Sequence, residues 1–140
     1  MIKRDLDCFK AYDVRGQIGL NIDEDVAYRV GRATVQHLNS DFIIVGFDAR
    51  ETSPAYAEAV TQGAVDGGSD VGLIGMAGTE EMYWAVSQFK ASAGIAVTAS
   101  HNPIDWNGMK IIKAGSKPLD EKRDFLAIKL LASDGSWLQP

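Results

Sequence analysis

Cysteine is nearly absent: Cys8 is the single one in 140 residues, so no disulfide can close within the chain and a reducing, cytoplasmic setting is expected. With no partner motif beside it, Cys8 reads as an inert thiol near the N-terminus sooner than as a catalytic nucleophile. Histidine is scarce too, at His37 and His101. No closely spaced set of histidine, cysteine and carboxylate stands out, so the chain alone does not supply a complete zinc or calcium site of the usual type. Basic residues are outnumbered, 14 against 19 acidic, for a net charge of -5. That balance argues against nucleic acid or an anionic membrane as partner and leaves room for a small local basic pocket. No run approaches the roughly 20 apolar residues of a membrane span. The opening "MIKRDLDCFK" has no apolar core of signal-peptide length. A soluble protein of one domain is expected.

What is present is alternation. "LNIDEDVAYRVGRATVQHLNS" has helical apolar spacing, with Asn21 or Asp23 as cap, and "FIIVGFD" then switches to a strand-like run. His37 falls in that helix's last turn, where the dipole favours it. "ETSPAYAEAVTQGAVDGG" predicts a second helix capped by Ser53, with Pro54 in its first turn and Gly67-Gly68 as its stop. "DVGLIG" predicts a strand buried on both faces, and "TEEMYWAVSQFK" a third helix with Thr79 as cap. "AGIAVTA" and "MKIIKA" predict two more strands, and "LDEKRDFLAIKLLAS" a last helix with Phe125, Leu126, Ile128, Leu130 and Leu131 on its apolar side.

The resulting expectation is a three-layer α/β/α sandwich around a mixed, mostly parallel four-stranded sheet. The mixing comes from one link. Ser100 to Gly108 is too short for a helical crossover, so the last two strands are expected to be antiparallel neighbours. The domain is expected to fill residues 1–133, with 134–140 as a truncated linker or tail.

In such folds ligands gather at strand ends. Three loops there carry polar chemistry. "AYDVRG" offers Tyr12, Asp13 and Arg15; "FDAR" offers Asp48 and Arg50; "TASHNPIDWNGMK" offers Ser100, His101, Asn102, Asn107 and Lys110. Arginine's planar fork suits phosphate oxygens and lysine supplies a compact charge or a proton, so a phosphorylated substrate fits the set. Blander readings stand beside this one. Asn-Pro and Asn-Gly are ordinary turn dipeptides, with Gly108 allowing unusual dihedrals. Asp48 and Arg50 can pair with each other or cap a helix, Arg15 can be a surface arginine, and Trp106 can cover the loop rather than stack on a sugar.

Taken together, "TASHNP" at 98–103, "NGMK" ending at Lys110, "FKAYDVRG" at 9–16 and "DAR" at 48–50 resemble the α-D-phosphohexomutases, and "GMAGTEEMYWAV" is similar to bacterial phosphomannomutase/phosphoglucomutase sequences. The resemblance implies an isomerase acting as an intramolecular phosphotransferase. It would interconvert hexose 6-phosphate and hexose 1-phosphate, of mannose or glucose, through a phosphoserine and a hexose 1,6-bisphosphate intermediate or activator. By motif matching, Ser100 is the phosphoryl carrier; Lys110 and Arg15 serve proton transfer and transition-state charge; His101 and Asn102 support the serine loop. Tyr12, Arg15, Asn102 and Lys110 contact substrate, with Asp48, Arg50, Asn107 and Gly108 as structural support. A lysine in that role needs a depressed pKa, which nearby cations can provide.

The family's members have four domains, and the resemblance covers the first alone. It implies a Mg2+ ion to which Ser100 contributes through its phosphate, the other ligands coming from the second domain. On this expectation domains II–IV are absent, and the chain is without turnover by itself. The alternatives kept open are a non-catalytic module binding phosphosugar or protein, and a fragment that self-associates through faces left bare.

Overall fold

The computed structural model describes residues 1–10 and 13–137. Tyr12, expected at the substrate, lies outside the described residues. The elements run β1 (Val14–Gln17), α1 (Glu24–Leu38), β2 (Phe42–Phe47), α2 (Ser53–Asp66), β3 (Asp70–Met76), α3 (Thr79–Gln88), β4 (Ala93–Val97), β5 (Trp106–Lys113), β6 (Lys117–Pro118) and α4 (Leu126–Asp134).

One sheet joins all the strands in the order β1-β5-β4-β2-β3, with β6 on the far part of β5. β2 runs parallel to β3 and β4. β5 runs antiparallel to β4, β1 and β6. The α/β class and the antiparallel step between the last two expected strands hold. The sheet nevertheless has six strands rather than four, and its antiparallel pairings outnumber the parallel ones. The two additional strands are polar or very short: Val14-Arg15-Gly16-Gln17 alternates buried and half-buried positions, and Lys117-Pro118 is exposed. Neither has the apolar run that marks a buried strand.

Alternation along the strands divides two layers. Ile43 and Val45 of β2, Ala93, Ile95 and Val97 of β4, and Met109 and Ile111 of β5 enter one core with Val26 and Val30 of α1, Val60 of α2 and Ile128 of α4. Ile44, Ala96 and Ile112 face the other way and pack under Met82, Ala85 and Val86 of α3. Each fully buried Val, Ile or Met side chain among them contributes about 1.5–3 kcal/mol. α1 and α2 cross at backbone contact: a Cβ on Gly31 would lie 2.2 Å from the Val60 carbonyl oxygen, and one on Gly63 2.2 Å from that of Tyr28.

Several local expectations shift. Asp23 caps α1, accepting from the Val26 amide at 3.0 Å. The helix already includes Ser53, so Thr52 is the N-cap of α2, without a side-chain capping bond, and the Ser53 hydroxyl is turned to Asp48. Gly78, not Thr79, caps α3, its amide donating to Glu81 Oε1 at 2.9 Å. β3 is an edge strand instead of one buried on both faces, and leaves Leu73 and Met76 exposed. The last helix begins as a π-helical turn at Glu121–Phe125, so Phe125 and Ile128 turn inward while Leu126 and Leu130 stay exposed. His37 does more than complement a dipole: its Nε2 lies 3.0 Å from the buried Asp124, which also receives Lys113 Nζ at 3.0 Å. Cys8 is fully buried, and burial pushes its thiol up to about 11, so it is inert. Among the described residues no helix is long and apolar enough to cross a membrane.

Candidate active site

The three polar loops meet at the ends of β2 and β4 and at the β1–β5 pairing. Val97 ends β4, and the chain turns at Ala99, whose carbonyl accepts from the Asn102 amide at 3.0 Å. Ser100 sits at the first corner of that turn with φ 53°, and its side chain is exposed. A second turn, closed by the Trp106 amide on the Pro103 carbonyl at 3.0 Å, delivers the chain into β5.

Arg15 reaches this serine from β1. Register places it opposite Gly108 on β5. Its Nη1 donates to its neighbour's Val14 carbonyl at 2.8 Å, and Nη2 donates to Asp13 at 3.3 Å and to the Ser100 hydroxyl at 3.2 Å. Burial lowers the Arg15 pKa and Arg50 lowers it further, with Asp13 acting the other way; the group remains a cation. Gly108 is not a turn residue as its Asn-Gly dipeptide suggested, since it lies inside β5. Glycine is required there for approach: a Cβ would be 2.0 Å from the Val14 carbonyl oxygen and 2.8 Å from Arg15 Nη1.

Behind the loop runs a connected polar network. Arg50 donates through Nη2 to the carbonyls of Ser100 at 3.2 Å and Asn102 at 2.6 Å, and through Nη1 to those of Pro103 at 2.6 Å and Trp106 at 3.0 Å. Asp48 faces the same guanidinium at 3.5 Å and accepts hydrogen bonds from the Arg50 amide at 3.1 Å and the Ser53 hydroxyl at 2.5 Å. Asn107, fully buried, donates to Thr52 Oγ1 at 2.8 Å and Ser53 Oγ at 3.0 Å. Its Oδ1 accepts from the Gly108 amide. Sequence had left Asp48 and Arg50 open between pairing, capping and binding; the two pair with each other, and Arg50 holds the serine loop.

Ser100, Arg15, Asn102, Asp48, Arg50, Asn107 and Gly108 are thus linked through hydrogen bonds or strand register. Lys110 stands apart from that chain of bonds. It lies on β5 opposite Ala96, two residues beyond Gly108 on the same face, with Nζ 5.9 Å from the centroid of the Tyr83 ring of α3. His101 is exposed and hydrogen-bonds to nothing among the described residues. Thr98 was overlooked: its Oγ1 accepts from the Ser100 amide at 3.0 Å. The only available signal was its place two residues before the serine, which suits an ST-type turn. Thr52 and Tyr83 were overlooked as well, because neither belongs to a polar motif.

Among the described residues no three histidine, cysteine or carboxylate side chains cluster to hold a metal. The carboxylates beside the serine, Asp13 and Asp48, are each paired to an arginine. The residues present therefore do not fit a Mg2+ site of their own.

Comparison with known proteins finds relatives of this sequence and this fold. The family described as phosphoglucomutase/phosphomannomutase, alpha/beta/alpha domain I, matches residues 7–135. A phosphomannomutase of Vibrio cholerae serotype O1 is 44% identical over 140 residues, covering 96% of this chain and 30% of that protein. One of Klebsiella pneumoniae is 44% identical over 132 residues, covering 94% of this chain and 84% of its relative. The solved structure of a phosphoglucomutase/phosphomannomutase family protein from Burkholderia thailandensis superposes with a TM-score of 0.85 at 31% identity, over 94% of this chain and 31% of that one. The chain spans less than a third of the length of the Vibrio relative. With the family match running over residues 7–135 and its fold shared with the solved relative, the chain belongs to the phosphoglucomutase/phosphomannomutase family, as its α/β/α domain I.

Proposed function

We propose that this domain carries the phosphoserine of a phosphomannomutase or phosphoglucomutase that interconverts hexose 6-phosphate and hexose 1-phosphate in the cytoplasm. The observation that carries the reading is the exposed Ser100 hydroxyl, held at the corner of a tight turn and contacted by the Arg15 guanidinium at 3.2 Å. Phosphoryl transfer asks little covalent work of a protein beyond positioning and charge stabilisation.

In the proposed cycle the bond from phosphorus to the Ser100 oxygen breaks while one forms to a free hydroxyl of the sugar phosphate, whose proton passes to Lys110, and the departing Ser100 oxygen takes up a proton to become the free hydroxyl. The hexose 1,6-bisphosphate then presents its other phosphate, and Ser100 takes that phosphoryl group back. Arg15 stabilises the charge spread over the transferring oxygens, and its fork geometry suits the task. Asn102, together with Tyr12, contacts substrate, and His101 flanks the phosphoserine. Asp48, Asn107 and Gly108 support the loop and the Arg15 strand. From this chain the Ser100 phosphate alone would hold a Mg2+ ion, which would supply positive charge beside the transferring group; its remaining ligands, like the choice between mannose and glucose, would come from further domains.

Incubation with hexose 1,6-bisphosphate followed by intact-mass measurement tests the reading. A single added phosphoryl group that disappears in Ser100→Ala is expected. No uptake by a folded protein that contains this domain with its full complement of domains would sink it.

A further inference from the structure

Ser100 occupies backbone space that serine avoids. Its φ is 53°, and it begins the two-residue corner between the Ala99 carbonyl and the Asn102 amide. His101, the second corner, is not among the residues with positive φ. A corner with positive φ is one where glycine is the usual occupant. A serine held there costs on the order of 1–2 kcal/mol, and such conformations persist only where surrounding contacts over-determine them.

Three contacts act on Ser100. Arg15 reaches the hydroxyl, and Thr98 accepts from the amide. Arg50 alone acts on the shape of the whole loop. Its two terminal nitrogens are each shared by two carbonyls, so one guanidinium ties Ser100, Asn102, Pro103 and Trp106 together. Its own position is set by Asp48, which is held in turn by the Ser53 hydroxyl at the first residue of α2. Each peptide carbonyl points opposite to the following amide. Turning the Ser100 and Pro103 carbonyls onto Arg50 therefore aims the amides of His101 and Ile104 away from it, and neither amide has a partner among the described residues.

We propose that Arg50 is a positioning residue for phosphoryl transfer: by gripping the four carbonyls it holds Ser100 in its left-handed conformation and so presents the hydroxyl to the phosphoryl group. The proposal rests on the reading of Ser100 as phosphoryl carrier. It does not make Arg50 a catalytic residue, since Arg50 contacts main-chain oxygens and not the reacting atoms. The planar fork is what matters. A lysine at this position keeps the charge but has neither the reach nor the paired donors for four acceptors.

The test compares the full chain with Arg50→Lys and Arg50→Ala by two independent readouts. First, NMR couplings and the intraresidue amide-to-α-proton contact report the sign of φ at Ser100. Arg50→Lys is expected to move Ser100 to negative φ while the shifts of β2 and β4 residues stay in place. Second, the rate at which Ser100 takes phosphate from hexose 1,6-bisphosphate, measured in a protein with all its domains, is expected to fall about 100-fold in Arg50→Lys. Added guanidinium ion is expected to restore at least tenfold of the rate in Arg50→Ala. Wild-type couplings at Ser100 in Arg50→Lys, or a wild-type rate, overturn the proposal. If the wild-type protein takes no phosphate, the functional reading fails, and the couplings still decide the structural role. If Arg50→Lys does not fold, Ser100→Gly is added to it. Glycine accepts the turn without cost, so recovery of the fold supports the proposal and continued unfolding overturns it.

Discussion

The Arg15 guanidinium and the Ser100 hydroxyl meet at 3.2 Å although 85 residues separate them along the chain. The contact exists because β1 pairs antiparallel with β5 and sets Arg15 opposite Gly108, beside the loop that carries the serine. Arg15→Met removes a donor aimed at developing charge, and a loss of about 100- to 1,000-fold in phosphoryl transfer to Ser100 is expected. The urea midpoint is expected to move by the equivalent of about 1 kcal/mol or less, because the Asp13 partner is partly exposed. Single-turnover phosphorylation alongside urea unfolding checks both values; a proportional loss of stability would make Arg15 structural.

Gly108→Ala tests the pairing that delivers Arg15. The new methyl meets the Val14 carbonyl oxygen at 2.0 Å, so β1 must separate from β5. A destabilisation of about 1–3 kcal/mol is expected, together with loss of the Arg15 to Ser100 contact. Denaturant unfolding measures the first. Amide exchange in residues 14–17 and 106–109 shows whether the strands have parted.

Gly63→Ala probes the helix crossing in the same manner at a site far from the serine loop. Its Cβ would lie 2.2 Å from the Tyr28 carbonyl oxygen on α1. Alanine favours an isolated helix by about 1 kcal/mol over glycine. Here the clash is expected to dominate, giving a net loss of about 1–3 kcal/mol. A gain in thermal midpoint would show that α1 and α2 can separate without strain.

Asp124 sets an acid limit. Burial by itself would raise its pKa, but hydrogen bonds from His37, the Asp120 amide and Lys113 outweigh burial and hold it down to about 2. The unfolded carboxyl titrates near 3.9. A depressed native pKa contributes stability that is fully present above the unfolded value and is lost as pH falls from about 4 to about 2, on the order of 2–3 kcal/mol in all. Urea unfolding at a series of pH values should show this slope, and Asp124→Asn should flatten it while lowering stability at neutral pH. A slope unchanged by the substitution assigns acid sensitivity to other carboxylates.

Much of the architecture was legible in the residues. The apolar runs at 42–47 and 93–97 became central strands, and the short link after Val97 forced the antiparallel return. β1 was hidden because Arg15 and Gln17 interrupt its apolar character, and β3 misled because an apolar run does not reveal whether a strand lies at the centre or the edge. For the site, Arg15 and Arg50 reach Ser100 from their own segments, whereas Lys110 stands apart and His101 makes no bond among the described residues. The bonds that hold the loop were less visible. Arg50 addresses carbonyl oxygens, which every residue carries, so no side-chain pattern announces it. Gly108 read as a turn because its conformational freedom is familiar, whereas its use here is the absence of a Cβ against Val14.

A loop held by its carbonyls has a particular freedom. Four of its bonds to Arg50 end on atoms that survive almost any substitution at His101, Ile104 or Trp106, and Ile104 already stands 90% exposed. Such a loop can change the side chains it shows to a ligand while its path stays put, so new specificity can arise there without disturbing the serine. The opposite holds at residue 50, where a single exchange releases the path as a whole.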